Sequence, residues 1–211
     1  EVIRLSGMNM IINDLYLPLI IKVASIPKER MQVYFIDNEE YFKRKDLLFD
    51  KEEKLLKDND ERMIFFTKGV IETVKKLNWV PDIIHLHGWF ASLFPLYLKK
   101  LYSDDPIFDK SKIVSSLYGK SFDGSLSKKL SEKIEFDGIE GDLDLISEPN
   151  FESLTDLMIK FSRASGVSIS PIILMVLRWP ELTKLPAESV IFPFPMACKM
   201  SLKLTLEAII L

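Results

Sequence analysis

The sequence predicts an α/β fold with a mostly parallel sheet, and three observations carry that reading. Up to about Val114, short apolar β-rich runs alternate with stretches of helical period. In the middle of the chain a helix, Pro81, a strand, Gly88 and a second helix follow one another, with a start or stop signal at each junction. The 211 residues are 47% hydrophobic and 28% charged, with a formal net charge of −3. That balance belongs to a globular domain long enough to bury a core without disulfide or metal staples.

Val2 to Leu5, Leu19 to Ile26 and Gln32 to Asp37 read as strands, bounded by Gly7, Pro18, Pro27 and the charged stretch after Asp37. From Asp60 to Leu77, Met63, Phe66, Val70, Val74 and Leu77 recur at intervals of three and four, and Glu61, Lys68, Glu72 and Lys76 take other faces. An amphipathic helix is expected there. Asp58 or Asn59 is its expected N-cap, Asp60 and Glu61 complement its positive end, and Lys75 and Lys76 its negative end. Pro81 stops it, and Asp82 to His87 reads as a buried parallel strand in the middle of the sheet. A helix over Trp89 to Tyr102 and a strand over Lys112 to Leu117 complete a βαβ unit, whose right-handed crossover sets the two strands parallel. Beyond Gly124 come charged stretches at 128–135 and 137–144, then a helix over Leu154 to Phe161. The last 41 residues hold five of the eleven prolines and only seven charged residues, which divides the chain into a domain at 1–170 and an atypical proline-rich tail at 171–211.

Composition excludes several function classes. The acidic balance lacks the basic footprint of a nucleic-acid binder. The longest apolar runs, Ile172 to Leu177 and Val190 to Cys198, fall far short of the roughly 20 residues that span a bilayer, so no membrane partner is expected. Cys198 is the single cysteine, which fits a reducing, cytoplasmic setting and gives it neither a disulfide nor a catalytic role. The chain opens on Glu1 with strand-like residues and no basic n-region, so it is expected to begin within a longer protein. No feature of the sequence indicates an oligomeric state.

Candidate chemistry centres on His85 and His87, the only two histidines, at the C-terminal end of the expected middle strand. Ligands of open α/β sheets bind outside the carboxyl ends of strands, and the helix expected after Gly88 offers unpaired N–H groups and a positive dipole end to an anion or to sugar hydroxyls. A spacing of two puts both imidazoles on one strand face. That would suit a metal, but no third nitrogen or thiolate ligand accompanies them, so no metal is expected. The alternative is a pair of core or edge histidines bonded to backbone carbonyls. Gly119-Lys120-Ser121 mimics the end of a phosphate-binding loop, but Val114 stands where that motif needs glycine, and no G-x-G-x-x-G occurs. Asp37 and Asp58 could pair as carboxylates. Tyr41, Phe42 and Phe49 beside Lys43, Arg44 and Lys45 could stack on a sugar or simply anchor a loop.

Four segments in register resemble the bacterial glycogen synthase and plant starch synthase family. Val33 to Asp37 followed by Tyr41-Phe42-Lys43-Arg44 resembles its "VYFID…YFxR", and Asp58-Asn59-Asp60-Glu61-Arg62 with Phe65 its "DNxxRF". Pro81 to Trp89, continuing from Ala91 to Leu98, is similar to "PDIIHxHDW…A…P..L", and Ile113 to Gly124 lies where the family has "TIHNxxYQG". The resemblance implies one Rossmann-like half of a two-domain GT-B glycosyltransferase, which moves glucose from ADP-glucose to an α-1,4-glucan with retention. ADP-glucose is implied as donor substrate and no cofactor is implied. By position Asp58 and His87 are the implied catalytic residues of the glucose site, with His85, Gly88, Trp89, Asn59 and Arg62 as implied substrate-binding neighbours. Gly88 stands where the family has the aspartate of "HDW", and Tyr118-Gly119 where it has His-Asn. The family's "KxGGL" donor loop and second Rossmann domain have no counterpart within these residues. The chain alone is therefore expected to be inactive. The alternative reading is a non-catalytic carbohydrate- or nucleotide-binding module derived from the family.

Overall fold

A computed structural model describes residues 2–26, 31–117, 119 and 122–162. Cys198, the tail at 171–211 with its boundary at 170, Tyr118 and the Lys120-Ser121 pair lie outside them. Strands β1 (Val2–Ile12), β2 (Leu15–Ile26) and β3 (Met31–Asp37) form an antiparallel meander in the order β1-β2-β3. Helix α1 (Glu39–Phe42) and the long α2 (Asn59–Lys76) follow, then β4 (Ile83–His87), a 3-10 turn (Trp89–Ala91) and α3 (Phe94–Lys100). Next come β5 (Lys112–Ser116), α4 (Leu130–Phe136), a second 3-10 turn (Leu143–Ile146) and α5 (Phe151–Ser162).

The parallel βαβ unit stands as expected: β4 pairs with β5 in parallel, with Ile83 opposite Lys112 and His87 opposite Ser116. The first three strands depart from a mostly parallel sheet, and β4 lies in a two-stranded sheet with β5 instead of in the middle of a larger one. Connection length is the cause. Only Asn13 and Asp14 separate β1 from β2, and four residues separate β2 from β3, too few for the crossover that parallel strands need. Asn13 supplies the left-handed backbone of the tight turn, with φ 54°. Pro18, read as a strand boundary, lies inside β2. It faces Asn9 of β1 but sits beyond the last β3 pair, Ile20 with Asp37, so its missing N–H breaks no ladder bond there. Its carbonyl instead accepts from the Asn38 side-chain amide at 2.8 Å.

Helix α2 is not the half-solvated helix that its periodicity suggests. It packs against β1 and β3 and also against α3, α4 and the first 3-10 turn, and Met63, Ile64, Phe65 and Ile71 are completely buried. Asp60, Glu61 and Lys68 survive this enclosure by meeting charged partners, while the buried Thr67 hydroxyl has no hydrogen-bond partner among the described residues. Lys133 of α4 reaches Asp60 at 2.5 Å and Glu61 at 2.8 Å, while Lys68 reaches Asp137 at 2.5 Å and the Ile11 carbonyl at 2.7 Å. The stretch at 128–135, read only as charged, is thus largely a helix that buries Leu130 and Ile134. The helix expected over Trp89 to Tyr102 is broken into the turn and α3, because Pro95 is tolerated only in a first turn and resets the start to Phe94.

Candidate functional site

Strand β4 alternates strictly: Ile84 and Leu86 are buried, Ile83 and His87 are exposed, and His85 is half-buried. The two imidazoles therefore share the open face, as their spacing predicts, with ring centroids 4.1 Å apart. Ser116 at the end of β5 completes the cluster, sharing a 2.8 Å hydrogen bond with His85 Nε2. Desolvation lowers the pKa of both histidines, and the neighbouring His85 lowers that of His87 further, so both rings are neutral at physiological pH. Ser116 escaped the sequence reading. The signal was available, because equal-length parallel strands set the last residue of β5 beside the last residue of β4.

Gly88 has φ 71° and ψ 173°, a conformation costly for residues with a Cβ, and its N–H donates to the Ser116 carbonyl at 3.3 Å. That turn sends Trp89 inward. Trp89 is 7% exposed and packs edge-on against Phe122 at 4.7 Å and Phe90 at 5.6 Å. Phe90 in turn meets Phe66 of α2 at 5.7 Å, and Phe122 meets Phe151 of α5 at 5.6 Å. Trp89 thus holds the strand end, α2 and the loop around Phe122 together and offers no ring face to a ligand.

Asp58, Asn59 and Arg62 form a second group at the start of α2. Since α2 runs back towards the short connection into β4, its N-terminus and the C-terminal end of β4 lie at the same end of the molecule. The Phe66–Phe90 contact ties the middle of α2 to the turn after β4, and Asp58 lies about 12 Å further along the axis from Phe66 at 1.5 Å per residue. Asp58 makes no side-chain cap bond, which corrects the expected capping role. Its two carboxylate oxygens instead accept from Arg44 at 3.1 and 2.7 Å, a charge-assisted fork stronger than a single N–H cap bond. Asn59 does not cap either. Fully buried, it donates to the Leu48 carbonyl at 2.8 Å and accepts from Arg62 at 2.8 Å.

Arg62, 1% exposed, also donates to the Leu47 carbonyl, and its charge lies 5.3 Å over the Phe42 ring. Burial lowers its pKa to about 10, with Arg44 adding repulsion and Asp58 opposing it. Asn59 and Arg62 therefore face the loop between α1 and α2, away from solvent. Asp37 pairs with Lys22, so no Asp37–Asp58 carboxylate pair exists. The Tyr41–Phe42 cluster is an anchor, with both rings edge-on to Phe65 at 5.4 and 5.9 Å. Burial first and then Glu61, which accepts from its hydroxyl at 3.1 Å, hold the Tyr41 pKa far above the usual phenol range.

Among the described residues no group of three or more His, Cys, Asp or Glu side chains could hold a metal ion, and no helix is long and apolar enough to cross a membrane. Residues 1–176 match the family described as "Starch synthase catalytic domain". The chain is 40% identical over 149 residues to a glycogen synthase of Chlorobium luteolum, covering 70% of this chain and 30% of that protein. It is 40% identical over 135 residues to a glycogen synthase of Chlorobium limicola, covering 64% and 28%. In fold it is similar to the catalytic domain of Starch Synthase IV from Arabidopsis thaliana bound to ADP and acarbose, with a TM-score of 0.53 and 18% identity over 66% of this chain and 27% of that one. The chain spans about 30% of the length of the curated relatives it matches. On the matched residues and on the α/β fold they form, the chain belongs to the starch synthase catalytic domain family.

Proposed function

We propose that this chain supplies one wall of the glucose site of an ADP-glucose-dependent α-1,4-glucan glucosyltransferase, working in the cytoplasm without a cofactor. The His85–His87–Ser116 cluster at the open end of β4 is the observation that carries the reading. Neutral imidazoles there both donate and accept hydrogen bonds, which suits sugar hydroxyls, themselves both donors and acceptors. In retaining transfer the bond from the anomeric carbon to the diphosphate breaks with oxocarbenium character, so groups that bind the sugar hydroxyls more strongly in that state carry the stabilisation. His87 and Asp58 take that role, the first from the strand end and the second from the start of α2. Asn59, Arg62 and Trp89 act from behind, fixing the loops that carry those two groups.

The test is a titration of the chain with glucose, maltotetraose and ADP-glucose followed by nuclear magnetic resonance. His87→Ala is expected to weaken binding on the order of 10-fold, the loss of a hydrogen-bonding partner in the site, with the thermal midpoint almost unchanged because the side chain is exposed. Unchanged affinity with a large drop in midpoint would make His87 a structural residue. Glucan binding that never leads to transfer when the rest of the protein is present would favour the non-catalytic module.

A further inference from the structure

Asp58 sits at the N-cap position of α2, where a carboxylate ordinarily folds back onto the backbone N–H groups of the first turn. Here it does not: φ −97° and ψ 11° lie outside the extended range of such caps, and no cap bond forms. Arg44 holds it away. The guanidinium grips both carboxylate oxygens and is itself fixed by a 2.9 Å bond from Nη2 to the Glu40 carbonyl. That carbonyl belongs to α1, which is fixed in turn by Asn38, whose side chain caps α1 and donates to Pro18 of the sheet.

A carboxylate has about four lone-pair positions, and the Arg44 fork occupies two of them. The side chains of Arg44 and Asp58 are 29% and 30% exposed, so the remaining acceptor positions stay reachable. We infer that Arg44 is a positioning residue: it swings the Asp58 carboxylate off the helix and aims its free lone pairs outward for the hydroxyl groups of the bound sugar. The inference rests on the reading of Asp58 as part of the glucose site. Geometry and charge both enter, because a lysine could supply the charge but not the planar fork that fixes the carboxylate plane.

Glucose and ADP-glucose titrations of Asp58→Asn, Arg44→Ala, Arg44→Lys and the double variant test it, with the thermal midpoint measured in parallel. Asp58→Asn is expected to weaken binding on the order of 10-fold. Arg44→Ala should weaken it about 3- to 10-fold in the parent but by less than 2-fold in the Asp58→Asn background, since both changes then remove the same aimed carboxylate. Arg44→Lys should recover less than half of the loss and keeps the question open to measurement if Arg44→Ala folds poorly. Equal losses from Arg44→Ala in both backgrounds, unchanged affinity in the parent, or full recovery by lysine would each overturn the positioning role. If Asp58→Asn leaves affinity intact while His87→Ala lowers it, the site exists without Asp58, and only the inference about Arg44 falls. If neither change matters, the glucose-site reading falls with it.

Discussion

The two histidines on β4 show how a residue's chemistry follows from which strand face it occupies. At positions 85 and 87 they miss the packed side taken by Ile84 and Leu86, yet lie close enough to each other that charging both is unfavourable. Their pKa values lie below the ordinary value of 6.5, mainly through desolvation. In the unfolded chain each takes up a proton near pH 6.5, whereas the folded chain resists it, so the unfolded state binds more protons between the two values. The fold carries no histidine penalty above about pH 6.5 and loses stability as pH falls below it. Urea melts from pH 7.5 to pH 5 should show a steeper decline for the parent than for His85→Gln/His87→Gln. Parallel declines would mean that the pair does not sense the folded environment.

Helix α2 carries the element-scale energetics. Glycine in a helix interior costs about 1 kcal/mol relative to alanine, so Gly69 looks like a defect in the sequence. A Cβ at that position would stand 2.7 Å from Ile36 Cγ2 and 3.3 Å from Leu19 Cδ1, because the helix lies directly on β2 and β3 there. Overpacking of that kind costs about 1–3 kcal/mol, which outweighs the propensity gain. Gly69→Ala should therefore destabilise the chain by about 1 kcal/mol in urea melts, and a gain in stability would show that the sheet yields easily.

The tie from α2 to α4 is a larger effect. Lys133 has its pKa raised: burial opposes its charge, but hydrogen bonds and attraction from Asp60 and Glu61 win. Asp60 is 1% exposed, so Lys133→Ala leaves a buried carboxylate without its ammonium. The expected loss is about 3–5 kcal/mol, with partial recovery in Lys133→Ala/Asp60→Asn. Equal stability of the two variants would mean that water replaces the ammonium.

At the scale of the whole molecule, the described residues form two small sheets, with α2 packed on β1 and β3 and α5 on β5, and the candidate groups lie at two places, the C-terminal end of β4 and the start of α2. Transfer from ADP-glucose needs donors aimed at the diphosphate as it leaves, and loss of one such donor costs about 10² to 10³ in rate. The chain spans about 30% of the length of the glycogen synthases it matches, so the prediction concerns these 211 residues alone. An open wall also leaves the remaining contacts screened by water. The purified chain should therefore incorporate no glucose from labelled ADP-glucose into glycogen. Measurable incorporation that His87→Ala abolishes would show that these residues are sufficient.

The amino-acid sequence by itself determined the local features. Period-two alternation put His85 and His87 on one face, Pro81 and Gly88 bounded β4, and the three- and four-residue spacing located α2 to within one residue at either end. Four motifs in register also pointed to the family, since a motif is a local string. What depended on distant partners was decided only by the tertiary structure. Asp58 reads as a cap until Arg44, fourteen residues earlier, is folded against it. Asn59 and Arg62 read as ligand groups until the carbonyls of Leu47 and Leu48 are seen to occupy them. Glu61 and Lys68 read as polar faces of an amphipathic helix until α4 and the residue after it close over α2 with Lys133 and Asp137. A hydrogen-bonding side chain takes the partner that the fold brings nearest, and the sequence records which partners exist but not which of them arrives.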